Sequence, residues 1–285
     1  MMANAPPSNL LDEALDGKGA AVFPSSSHEG YGGGGGRIIL VEDSVETSGA
    51  FVVHHLMKRS LSPHSSDVAV FISFAHPFSH YDRILRKMGC NLNTLRDSKR
   101  LLFFDVVMTE LLVPGTGWIC SKKLMDSDRR KTSEDKVISL YGRVHKAVEL
   151  CLSDEVGRHV TLIIDDISLM EVDANGSSNI VLDFLHYCNS LTEQFDCSLI
   201  VLNHADVYST TDVTKVLLQL EYLADVVINV EPLATGLATD VHGQLIVTNK
   251  GLQDGGTSRN KVHNFHFRIK DGGAEYFYPG SHGLK

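Results

Sequence analysis

From residue 37 onward, short apolar runs alternate with stretches whose apolar positions recur every three or four residues. The runs at 37–41, 68–74, 101–104, 160–164 and 198–202 are apolar without alternation, the pattern of strands covered on both faces. Most are followed at once by polar residues: Glu42 and Asp43, Asp105, Asp165 and Asp166, Asn203 and His204. Helical spacing links Val52, Val53, Leu56 and Met57, with Thr47 and Ser48 expected to cap their helix. It also links Phe78, Tyr81, Leu85 and Met88, where Gly89 supplies a stop, and Val137, Leu140, Val144, Val148 and Cys151. A further helix carries Ile180, Phe184, Tyr187 and Leu191, and the last carries Val216, Leu217, Leu220 and Leu223 before a strand at 226–230. Strands at 244–248, 265–269 and 274–277 follow, separated by Gly and Asn turn signals. The order predicts an α/β fold: a mostly parallel sheet flanked by helices, with added C-terminal antiparallel strands at one edge.

Residues 1–36 depart from this pattern and read as a flexible Gly/Ser-rich leader, ending in an unbroken run from Gly32 to Gly36. One island in it, Leu10, Leu11, Ala14 and Leu15, has helical spacing and suits a small anchor. The division is therefore a leader at 1–36 and one domain at 37–285. Between 108 and 135 the periodicity fades into glycine and mixed charge, as in a surface excursion.

Charge and cysteine usage narrow the function. A net charge of −9 opposes a protein that grips nucleic acid unaided. The five cysteines are an odd number with no C-x-x-C pair, which argues against a disulfide framework and a thiolate zinc site. No apolar stretch approaches the roughly 20 residues of a membrane span, and no secretory signal is legible. The expectation is a soluble cytoplasmic and nuclear protein with no metal and no cofactor. His54 and His55 are adjacent on a helix and face different sides, a poor metal pair, and no G-x-S-x-G turn marks a serine nucleophile.

The first strand-to-helix turn carries the sharpest signal. In nucleotide-binding sheets a glycine-rich loop wraps phosphates there, a lysine balances their charge and a hydroxyl holds magnesium. Here the stretch is Glu42-Asp43-Ser44-Val45-Glu46-Thr47-Ser48-Gly49. Glu42 and Thr47 stand where the glycines belong, Ser48 replaces the lysine and Gly49 the hydroxyl residue. Glu42, Asp43 and Glu46 bring negative charge to a place that needs positive charge, so this is a degenerate P-loop. Asp165 and Asp166 resemble a Walker-B strand end, although acids at strand ends commonly cap turns and helices. His204 sits where related sheets sense a terminal phosphate. Basic residues gather at Lys122, Lys123, Arg129, Arg130 and Lys131, in an irregular region suited to a mobile phosphate contact.

Several separated stretches resemble the Elongator subunit 6 family. They run from Val41-Glu42-Asp43 through Gly49-Ala50-Phe51-Val52-Val53-His54-His55, then Phe78-Ser79-His80-Tyr81 and Leu182-Asp183-Phe184-Leu185-His186-Tyr187-Cys188. Leu233-Ala234-Thr235-Gly236 and Asp240-Val241-His242-Gly243-Gln244-Leu245 complete the set. The resemblance spans about 37–277 and implies a RecA-like fold without working Walker motifs. It implies two sibling RecA-like partners in a hetero-hexameric ring, the catalytic Elongator subcomplex beyond it, and transfer RNA bound by the assembled ring. It further implies that the ring is an accessory to wobble-uridine modification, within a complex that has also been linked to transcription elongation. The competing expectation is a ring ATPase whose inter-subunit site uses Asp165, Asp166 and His204.

Overall fold

The computed structural model describes residues 9–16, 36–63, 65–106, 133–154, 158–173, 177–207, 213–236, 238–251 and 260–280. A short helix α1 (Leu10–Leu15) precedes β1 (Ile38–Asp43), α2 (Ala50–Ser60), β2 (Val68–Ser73), α3 (Phe78–Lys87), α4 (Leu92–Asp97) and β3 (Leu101–Asp105). Then come α5 (Ser133–Asp154), β4 (Val160–Ile164), α6 (Ile167–Asp173), α7 (Ser178–Phe195), β5 (Ser198–His204) and α8 (Val213–Leu223). The chain continues through β6 (Val226–Glu231), β7 (Gly243–Asn249), β8 (Lys261–Lys270) and β9 (Gly273–Phe277).

The strands form one sheet in the order β3-β2-β4-β5-β1-β6-β7-β8-β9. Strands β3 to β6 are parallel, and β7, β8 and β9 extend the β6 edge antiparallel. In β1, β2 and β4 every residue is buried, as their unbroken apolar runs require. Alternation reappears in β7, where only one face is covered. One core lies between the sheet and α1 to α4, around Val52, Leu56, Phe71, Tyr81 and Phe267. The other lies between the sheet and α5 to α8, around Val144, Ile164, Phe184 and Leu220.

Three differences from the sequence reading have local causes. On α7 the buried stripe is Val181, Phe184, Leu185, Cys188 and Leu191, whereas Tyr187 lies outside it, 44 % exposed against Tyr141. The helices α4 and α6 hold six and seven residues, too few for apolar periodicity to reveal them.

The division at residue 36 is the third. Helix α1 packs on the domain, with Leu11, Ala14 and Leu15 at most 1 % exposed. Asn9 caps it, Asp12 meets His55 and Arg59 of α2, and Asn249 donates to the Ala14 carbonyl at 2.9 Å. A flexible leader over all of 1–36 is thus corrected at 10–15, because three apolar side chains on one helical face find an apolar surface. The glycine run and the 108–135 excursion lie largely outside the described residues.

Candidate functional site

Strand β1 reaches α2 through six residues that fold back on themselves. Thr47 N–H donates to the Ser44 carbonyl at 3.0 Å, and Val45 N–H donates to Asp206 Oδ2 at 2.9 Å. The start of α2 is satisfied from beneath. Gly49 N–H donates to Asp43 Oδ2 at 2.5 Å, so a buried carboxylate takes the place where a helix N-terminus attracts an anion. Capping by Thr47 or Ser48 is accordingly not the device used; Ser48 Oγ accepts only from Ala50 N–H, at 3.3 Å. A methyl at Gly49 would stand 3.1 Å from Val41 and 3.2 Å from Val230, so the turn lies directly on the strand ends.

The cation is internal too. His204, at the end of β5, is paired with Asp43 through Nδ1 and with Asp166 Oδ2 through Nε2 at 3.2 Å. The Asp43 side chain is fully buried and that of Asp166 nearly so, while the ring is 25 % exposed. Hydrogen bonds to Asp166 and Asp43, in that order, push the imidazole up to about 10 against the effect of burial. At neutral pH His204 is therefore an imidazolium with both N–H groups donating. It links the first strand-to-helix turn to the Walker-B-like strand end.

Asp165 is consumed differently. It accepts from Ser73 Oγ at 2.6 Å, Phe74 N–H at 2.7 Å, Ala75 N–H at 3.1 Å and Tyr81 O–H at 2.5 Å. Burial raises its carboxyl, and these donors oppose the rise. Four donors on two oxygens staple β2, α3 and the end of β4 together. Asp166 also accepts from Ser168 N–H at 2.9 Å and Ser168 Oγ at 2.6 Å. Both aspartates thus do the capping and turn-closing work that acids at strand ends perform elsewhere.

The six loop positions do not act together. Of the three acids, Asp43 alone bonds at the α2 N-terminus. Glu42 points to the opposite face of the sheet, as the residue before Asp43 in a strand must. Burial, then Glu221, push its carboxyl up to about 7, with Lys250 opposing. Glu46 is exposed. A picture of three acids lining one turn is corrected to one acid there, one behind the sheet and one in solvent. Lys122, Lys123, Arg129, Arg130 and Lys131 lie outside the described residues.

Sequence reasoning missed Ser73 and Tyr81 as the partners of Asp165. It also missed a histidine group beside them: His54 is 8 % exposed, and His76 and His80 stack at 4.0 Å. Burial, then His80 and His76, lower the His54 imidazole to about 4, so it is neutral. No group of three or more His, Cys, Asp or Glu side chains among the described residues has metal-holding geometry.

The family model described as Elongation complex protein 6 matches residues 26–271. The chain belongs to this family. Relatives named Elongator complex protein 6 include those of Xenopus laevis, 25 % identical over 256 residues, and Homo sapiens, 25 % identical over 248. Each comparison covers 86 % of this chain and 91 % of the relative. Two solved structures from Pyrococcus horikoshii share the fold. A KaiC-like protein gives a TM-score of 0.58 at 12 % identity, covering 85 % of this chain and 90 % of its own. An uncharacterized protein bound to an unknown peptide gives 0.61 at 14 %, covering 86 % and 92 %. The fold is RecA-like, and the family is that of an Elongator subunit.

Proposed function

We propose that this chain is a non-catalytic RecA-like subunit of the Elongator accessory ring, assembled with two sibling subunits into a hetero-hexamer. In this reading it supports wobble-uridine modification through ring architecture and transfer RNA binding and release, in cytoplasm and nucleus. One observation carries the non-catalytic part. Asp43 occupies the anion position at the α2 N-terminus, and the His204 imidazolium occupies the cation position between Asp43 and Asp166. A triphosphate brought there meets a buried carboxylate, no lysine and a turn collapsed onto Val41 and Val230. Family membership supports the Elongator part. The basic residues Lys122, Lys123, Arg129, Arg130 and Lys131 are the proposed RNA contacts.

A ring ATPase using Asp165 is less well supported, because both oxygens of that carboxylate are already engaged by protein donors. The test begins with purification of the tagged chain from cells, in which the other Elongator subunits are expected. The assembled complex is then rebuilt with Ser48→Lys. Restoring the loop lysine alone is expected to add no nucleotide turnover, measured by phosphate release. A gain of turnover in that variant, or recovery of the chain without Elongator subunits, would sink the reading.

A further inference from the structure

On the sheet face opposite the His204 clamp, Asn203 of β5, Glu42 of β1 and Asn229 of β6 are register partners in one cross-strand row. Side chains so placed share a face, with strands about 5 Å apart. One step back the same face is apolar, with Leu40, Val201 and Val227 all buried. Glu42 is only 9 % exposed, and its Oε1 has no hydrogen-bond partner. Nor has Asn229 Oδ1, on the neighbouring strand. Buried acceptors on neighbouring strands that are bonded to no donor each lose about 1–3 kcal/mol of solvation. One proton removes both deficits, since a carboxylic acid donates where a carboxylate only accepts.

We propose that Glu42 is held as a neutral carboxylic acid that donates to the Asn229 side-chain carbonyl, and that loss of this proton is a pH-sensitive release for α8.

The surroundings favour the neutral form. Among the described residues, α8 contributes Glu221, a like charge that raises the Glu42 carboxyl. The segment after β7 contributes Lys250, which lowers it; the Lys250 ammonium is also bonded to the Glu221 backbone carbonyl. On β6, Glu231 lies two residues beyond Asn229 and accepts from Gln244 at 2.7 Å. From α7, apolar Leu185 shares a small gap with Leu40 and Val201 of this face. Asp43, His204 and Asp166 belong to the other face. A carboxylate at Glu42 would therefore repel Glu221 across the junction that holds α8 to β1. That junction already contains a gap of about 10 Å³ lined by Ile38, Leu40, Leu220 and Leu223. Movement of α8 away from β1 relieves the repulsion and lets water reach the carboxylate.

The experiment compares the full-length chain with Glu42→Gln, whose amide keeps a donor for Asn229 but cannot ionise. Wild type is expected to show the infrared carbonyl band of a protonated carboxylic acid near about pH 6, lost by about pH 8.5 and absent from the variant. From about pH 4.5 to about pH 7 the variant's folding equilibrium should gain on wild type by up to about tenfold per pH unit and level off above, where Glu42 is ionised folded or unfolded, and amide exchange in α8 should accelerate above about pH 7 in wild type only. Parallel pH profiles, or no difference in the protonated-acid band at about pH 6, overturn the proposal. The infrared measurement on wild type decides it alone if Glu42→Gln does not fold.

Discussion

Replacing His204 by glutamine tests whether the imidazolium is a structural cation. The ring titrates at about 10 in the folded chain, against 6.5 for the free group. At about pH 7.5 that difference corresponds to about 3 kcal/mol by proton linkage. The ring is 25 % exposed, so screening reduces the figure to about 2 kcal/mol. Glutamine also leaves Asp43 and Asp166 facing each other without a cation, and breaking a buried pair commonly costs about 3–5 kcal/mol. A loss of about 2–4 kcal/mol is expected. The sign follows from the raised value: the stabilisation is complete below about 6.5 and disappears as the pH rises through about 10. Urea unfolding of wild type and His204→Gln from about pH 7 to 10.5 reads the difference directly, and other titrating groups cancel between the two. A difference below about 1 kcal/mol at about pH 7.5, or one that stays constant to about pH 10.5, would refute the role of the charge.

Tyr81→Phe removes one donor from Asp165 and is expected to cost about 1–3 kcal/mol in urea unfolding, since a buried carboxylate loses a hydrogen bond. A neutral result would mean that water replaces the hydroxyl. Gly243→Ala is expected to destabilise by about 1–3 kcal/mol or more. Its methyl would lie 2.5 Å from the Glu231 carbonyl oxygen and 2.8 Å from the Phe267 ring. A midpoint of thermal unfolding equal to wild type would show that β6 and β8 yield at that point.

The parallel sheet was legible because unbroken apolar runs such as 160–164 are a direct record of two covered faces. The loss of a phosphate cradle was legible too, since Ser48 and Gly49 stand where lysine and a hydroxyl belong. What replaced the cradle was not. Asp43 and His204 are 161 positions apart, and no local pattern announces that their strands lie side by side. The same is true of Ser73 and Tyr81 around Asp165. Glu42 was misplaced for a simpler reason: strict alternation along β1 puts it with Ile38 and Leu40, behind the sheet, and proximity in sequence to Asp43 obscured this.

Helix α1 lies ahead of the span that the family model matches, yet it closes over α2 and β9 with three side chains sealed from water. A chain trimmed to the family boundary would lose the Asp12 and Asp16 contacts to Arg59 and bare a greasy strip beside Tyr276. Recombinant fragments begun at residue 26 should therefore be stickier than the intact polypeptide, and a purification handle is better fused at the other terminus.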